Sequence, residues 1–193
     1  ITSPYQIQKY PLSTPFNPST TWSVSVFTPS WYQAWYDFYW YVPKFINNWQ
    51  YILSCYWNVN SATQPMYMHT WWNATPSSYN LDVNCIVWTM SDDWVNLYVV
   101  NITSRIPYLR HYKTSTPYNI SSLTLINTIQ LWSSMWSGSN LYPNITWTPE
   151  YIHVQLVPTN QRARIYSVSL NTDWTLWSVV ADWTFSFPVS CIS

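Results

Sequence analysis

The chain of 193 residues offers little acid–base chemistry: seven acidic side chains and three histidines. Glu150 is its one glutamate, which excludes a glycosidase built on two glutamates. Asp92 and Asp93 are neighbours. In a strand they would point to opposite faces, and Ser-Asp-Asp reads better as a solvated turn than as an acid–base pair. His69, His111 and His153 have no partner at the spacing of metal ligands. No GxSxG, HExxH or Walker pattern occurs, and the single glycine, Gly138, leaves no phosphate-cradling loop. The expectation is a protein that is not an enzyme and carries no metal or other cofactor.

Cysteine and asparagine chemistry remain. Cys55, Cys85 and Cys191 match no zinc spacing and form no CxxC. Alternation puts Cys55 on a face with Tyr51, Leu53, Trp57 and Val59, and Cys85 with Leu81, Val83 and Val87. Both then point inward. A Cys55–Cys85 disulfide would constrain the unfolded chain by about 3–4 kcal/mol; the alternative is buried thiols packing as small hydrophobes. Asn73, Asn101, Asn119 and Asn144 each open an N-x-Ser/Thr sequon. Their number is what the composition alone would give, but several fall at strand ends or turns, where a covalent N-linked glycan fits.

Charged residues make up 7% of the chain and balance to a formal net charge of zero. A nucleic-acid partner is excluded, because displacing counterions needs clustered Lys and Arg. The densest charge, Arg105, Arg110, His111 and Lys113 in RIPYLRHYK, reads as a polar loop before it reads as an anion contact. No apolar run approaches the ~20 residues of a spanning helix. The chain begins at Ile1 without a basic segment followed by an apolar one. Either a leader has been removed or the chain begins part-way along its gene product.

Aromatic side chains are 20% of the residues, 16 of them tryptophan. In WYQAWYDFYWYV (31–42) a strand separates the faces better than a helix does, and aromatic residues suit strands. One face is continuously apolar. The other carries Trp31, Trp35, Tyr39 and Tyr41 among polar groups, a candidate platform for stacking sugar rings. A core plus a protein–protein interface is the plainer use of so many rings.

The elements that must position these groups are strands. TWSVSVFT (21–28) alternates, with Trp22, Val24 and Val26 on one face. Further strands are expected over 50–59, 65–72, 79–90, 93–102, 122–132, 145–149, 151–157, 164–170 and 174–191, separated by segments rich in Pro, Asn, Ser and Thr. With one glycine, turns needing positive φ are expected to rely on Asn, Asp and Ser. Residues 1–20 hold four prolines and read as an extended arm. The expected architecture is all-β: an Ig-like or jelly-roll-like β-sandwich head over 30–193, preceded by an arm and candidate donor strand over 1–29.

The arm ITSPYQIQKYPLSTPF, the alternating TWSVSVF, the strand-rich remainder and sequons such as Asn101-Ile-Thr together resemble subunits of archaeal extracellular filaments, the threads and adhesive pili that assemble by donor-strand complementation. The resemblance implies an Ig-like head at the cell surface, coated with glycans. Its partners would be identical subunits in a homopolymer, with the N-terminal strand of one filling a groove in the next. The function would be adhesion or cell–cell contact, and Lys44 would be the residue to inspect for an isopeptide cross-link. Two other readings stand beside it: a secreted carbohydrate-binding module that uses the aromatic face on surface glycans, and a jelly-roll viral coat protein. A lipid-binding barrel is a weaker fourth.

Overall fold

The computed structural model describes residues 7–9, 25–27, 44–46, 51–55, 64–70, 77–131, 144–156 and 163–185. Every regular element among them is a strand except a one-turn 3-10 helix at Ile120–Ser122. Trp22, Val24, Trp31, Trp35, Tyr39, Tyr41, Asn73 and Cys191 lie outside the described residues, as do the side chains of Val26 and Lys44.

Among the described residues four antiparallel sheets form. Strands β1 (Ile7–Lys9) and β2 (Ser25–Phe27) make a two-stranded ladder in which Val26 sits opposite Gln8. The first four-stranded sheet is β3 (Lys44–Ile46), β4 (Tyr51–Cys55), β5 (Gln64–Thr70) and β6 (Ser77–Leu81). The second is β7 (Val87–Met90), β8 (Asn96–Thr103), β9 (Ile106–Lys113) and β10 (Thr124–Gln130). The third is β11 (Asn144–Trp147), β12 (Tyr151–Leu156), β13 (Ala163–Leu170) and β14 (Leu176–Phe185).

In each four-stranded sheet the strands lie side by side in chain order. This connectivity corrects the Ig-like and jelly-roll expectation, while the all-β, face-to-face layering stands. An Ig or jelly-roll sandwich needs Greek-key connections that carry the chain from one sheet to the other. Here each sheet is one continuous stretch of chain. Tight links enforce that: β8 and β9 are joined by Ser104 and Arg105 alone, both at positive φ (50° and 68°), the backbone of a two-residue hairpin. The loops also depart from expectation in chemistry. The five positive-φ positions among the described residues are Trp94, Ser104, Arg105, Tyr118 and Trp174, so serine serves once and Asn and Asp not at all.

Strands β7 to β9 of the second sheet are buried on both faces. Trp88, Met90, Leu97, Val99 and Tyr112 point into one core, where they meet Leu53, Met66, Met68 and Leu81 of the first sheet. Val87, Tyr98, Val100 and Leu109 point into the other, against Ile152, Val154, Tyr166 and Val168 of the third. Strand alternation does this sorting, because successive side chains leave a strand on opposite faces. The six residues Asn96–Asn101 of β8 are therefore all buried, the near-continuous apolar signature of a strand covered on both sides.

Cys55 and Cys85 meet in the first core, as alternation required. They stand as thiols, with a hydrogen bond linking Cys55 to Cys85, and burial, aided by that neighbour, pushes the Cys55 thiol well above its ordinary pKa.

Leu97 is fully buried in the first core. Leu97→Ala is expected to cost about 2–5 kcal/mol in urea denaturation. Ile126→Ala, at an exposed site on β10, is expected to stay within about 0.5 kcal/mol.

Candidate interaction surface

Chemistry-bearing side chains are mostly consumed by the fold. The charged stretch RIPYLRHYK forms β9, a central strand, and not a loop. Arg110 Nη1 donates to Asp82 Oδ2 at 3.1 Å, and its Nε donates to Asn101 Oδ1 at 3.1 Å. The Tyr112 hydroxyl donates to the other Asp82 oxygen. Burial, together with that carboxylate, pushes the Tyr112 phenol far up. Arg110 thus ties β9 to β8 and to the segment after β6, and its anion is internal. Arg164 of β13 is likewise held by Asp182 of β14 at 3.1 Å.

Asp92 and Asp93 do form a turn. Asp93 Oδ1 accepts hydrogen bonds from the Ser91 hydroxyl and, at 3.1 Å, from the Val95 amide. Among the described residues no three of His, Cys, Asp or Glu gather at a metal-binding spacing. No described helix is long and apolar enough to cross a membrane.

His111 faces the second core, stacked on Tyr98 with ring centroids 4.9 Å apart, its Nε2 bonded to Asn96 Oδ1 at 2.9 Å. It is fully buried. Burial above all, then the charge of Lys113, lowers its pKa from 6.5 to about 4, with Asp173 opposing weakly.

The sequons separate by accessibility. Asn119 and Asn144 are exposed. Asn101 is fully buried; its Nδ2 donates to Thr103 Oγ1 at 3.0 Å and its Oδ1 holds Arg110. Nδ2 is the atom a glycan would occupy, and in the folded chain it is engaged in that hydrogen bond.

Exposed apolar side chains gather on two edge strands. On β14 they are Trp177, Val180 and Trp183, at 70%, 52% and 50% exposure; on β10 they are Leu125 and Ile126. The two strands are neighbours, since Asn127 Nδ2 of β10 donates to the Leu176 carbonyl of β14 at 2.7 Å. The pairing registers explain the exposure. Ile126 falls at a register shift of β10 against β9, and Trp177 and Val180 fall at two shifts of β14 against β13. A bulge leaves one residue without a partner and bends the strand, and here three bulge residues are apolar and turned outward. Edge strands ordinarily discourage pairing with lysines or bulges. These two edges carry one charge between them, Asp182. Their bulges interrupt the ladder up to Val180, and Ala181–Phe185 continues in regular register beyond it. The sequence had shown the aromatic surplus but not these positions, because a bulge breaks the alternation that would have revealed them.

No protein-family model, curated protein or solved structure matches the chain.

The buried neutral His111 sets a pH dependence. Its folded pKa lies below its unfolded one, so its contribution is fully present above about pH 6.5 and is lost as pH falls towards about 4, in total about 3 kcal/mol at about 1.4 kcal/mol per unit. Urea midpoints measured across that range are expected to fall more steeply for the parent than for His111→Gln.

Proposed function

We propose that the chain is a non-catalytic structural subunit of an extracellular assembly, built from copies of itself through the outer edges of the second and third sheets. The observation that carries this reading is the β14 edge. It is a ten-residue outer strand with a single charge, no lysine, outward apolar groups and a regular stretch at Ala181–Phe185. Such an edge favours strand addition, in which main-chain hydrogen bonds supply affinity and alternate side chains supply specificity.

The strand added would come from residues 1–29 of a neighbouring copy, whose one charged residue is Lys9. Donor and acceptor are different surfaces, so the contact is heterologous and extends into a filament unless its rotation closes a ring. Exposed Asn119 and Asn144 suit a glycan-coated exterior, and adhesion or cell–cell contact is the role such a filament serves. The jelly-roll coat reading loses its support with the meander connectivity. A carbohydrate-binding module keeps one specific observation in its favour, the strong exposure of Trp177 and Trp183 on a single strand.

The test is deletion of residues 1–29. This removes β1 and β2, which pair with each other, and leaves the three four-stranded sheets intact. Negative-stain microscopy and sedimentation should show filaments of the full chain and single subunits of the truncated one, and Ala181→Lys should also block assembly. Ordered filaments from the truncated chain would defeat the proposal. Under the sugar-binding reading, the full chain stays monomeric and its tryptophan fluorescence changes on titration with oligosaccharides.

A further inference from the structure

Two hairpin loops of this chain share the same turn and left-handed step, though the first is one residue longer. Between β7 and β8, the Trp94 amide donates to the Ser91 carbonyl at 3.0 Å, Asp93 Oδ1 accepts from the Val95 amide, and the Ser91 amide donates to the Asn96 carbonyl at 2.9 Å. Between β13 and β14, the Trp174 amide donates to the Asn171 carbonyl at 2.9 Å, Asp173 Oδ1 accepts from the Thr175 amide at 3.1 Å, and the Asn171 amide donates to the Thr175 carbonyl at 2.9 Å. Each loop is a turn closed three residues on, followed by one residue in the left-handed region: Trp94 at φ 59° and Trp174 at φ 65°. This turn, used to join antiparallel strands, calls for glycine at its left-handed position.

Tryptophan there is an outlier. A Cβ in the left-handed region costs roughly 1–2 kcal/mol, and the bulky residues are the least suited to it. The same misfit occurs twice, each time directly after an aspartate, as Asp93-Trp94 and Asp173-Trp174. Asp-Gly is the common hairpin pair at such places. The hydrogen bonds within the two loops run between backbone groups and the side chains of Ser91, Asp93, Asn171, Asp173 and Thr175, and none of these uses an indole. The rings do have neighbours: Trp94 lies over Tyr118 at 5.9 Å, and Trp174 meets Trp147 edge-on at 5.7 Å. Those contacts are additions to the loops and not the cause of their shape. Chain-wide, one glycine stands against 16 tryptophans, where glycine is ordinarily about 7% of residues.

We propose that the protein made in its native cell carries glycine at positions 94 and 174, through codons that its own translation apparatus decodes as glycine. The substitution keeps the backbone of both loops. It also keeps the Trp174 carbonyl that accepts from the Tyr98 hydroxyl at 2.8 Å, since a glycine carbonyl replaces it atom for atom.

Peptide mass spectrometry of protein isolated from its native cell reads both positions. Glycine masses at 94 and 174 are expected, and tryptophan at either overturns the proposal. A second comparison uses recombinant chains, Trp94→Gly/Trp174→Gly against Trp94→Ala/Trp174→Ala. Both remove the rings, so lost packing cancels. Glycine relieves the left-handed strain at a smaller entropic cost, so the glycine pair should have a folded-to-unfolded ratio about tenfold higher. A glycine pair no more stable than the alanine pair would show that these are not glycine sites and would also overturn the proposal.

Discussion

The constraint on which the structure depends is a sheet that must be apolar on both faces. Strands β7 to β9 supply side chains to two cores at once, and neither core closes without them. Leu97 and Val99 look one way, Tyr98 and Val100 the other. Such a sheet cannot slip by one residue without exchanging the contents of both cores. Register here is fixed by packing on two sides, and the tight Ser104-Arg105 link adds to it. The outer sheets have an easier task, with one face against a core and the other free to be polar.

That arrangement explains how the few ionisable groups are used. A double-faced sheet leaves polar side chains little access to water, and several of them find partners within the chain. Asp82, on the exposed rim, accepts from Arg110 and Tyr112, Asn101 accepts from Arg110 and donates to Thr103, and Asn96 Oδ1 bonds the Nε2 of His111. Buried polar groups left unsatisfied would cost about 1–3 kcal/mol each. A sparse surface charge and an internal polar network are therefore two sides of one sequence economy. The network also makes the fold sensitive to acid through His111.

The all-β class and most strands were legible in the sequence, because β4, β8, β12 and β13 alternate or run apolar as strands do. Cys55 and Cys85 were placed in a common core by the same alternation. The strand β9 was missed. Arg110, His111 and Lys113 looked like a solvated loop, and nothing local reveals that Arg110 has an acid waiting 28 residues earlier or that His111 lies under Tyr98. The segment 79–90 read as one strand, but a turn at 82–86 divides β6 from β7 and sends them to different sheets. The Greek-key expectation failed for a related reason: strand lengths and turn residues do not encode which sheet a strand joins. Asn101 illustrates the limit for sites. Its sequon is intact, yet the pairing of β8 between β7 and β9 buries its asparagine in the folded chain.

Hydrogen exchange with residue resolution tests most directly whether one doubly covered sheet holds the chain together. If it does, the amides of Leu97–Asn101 in β8 and Leu109–Tyr112 in β9 will exchange last, with protection close to that of global unfolding, while β10 and β14 exchange sooner. Protection of β8 no greater than that of the edge strand β14 would contradict it, and would mean that the two cores open independently of the sheet they share.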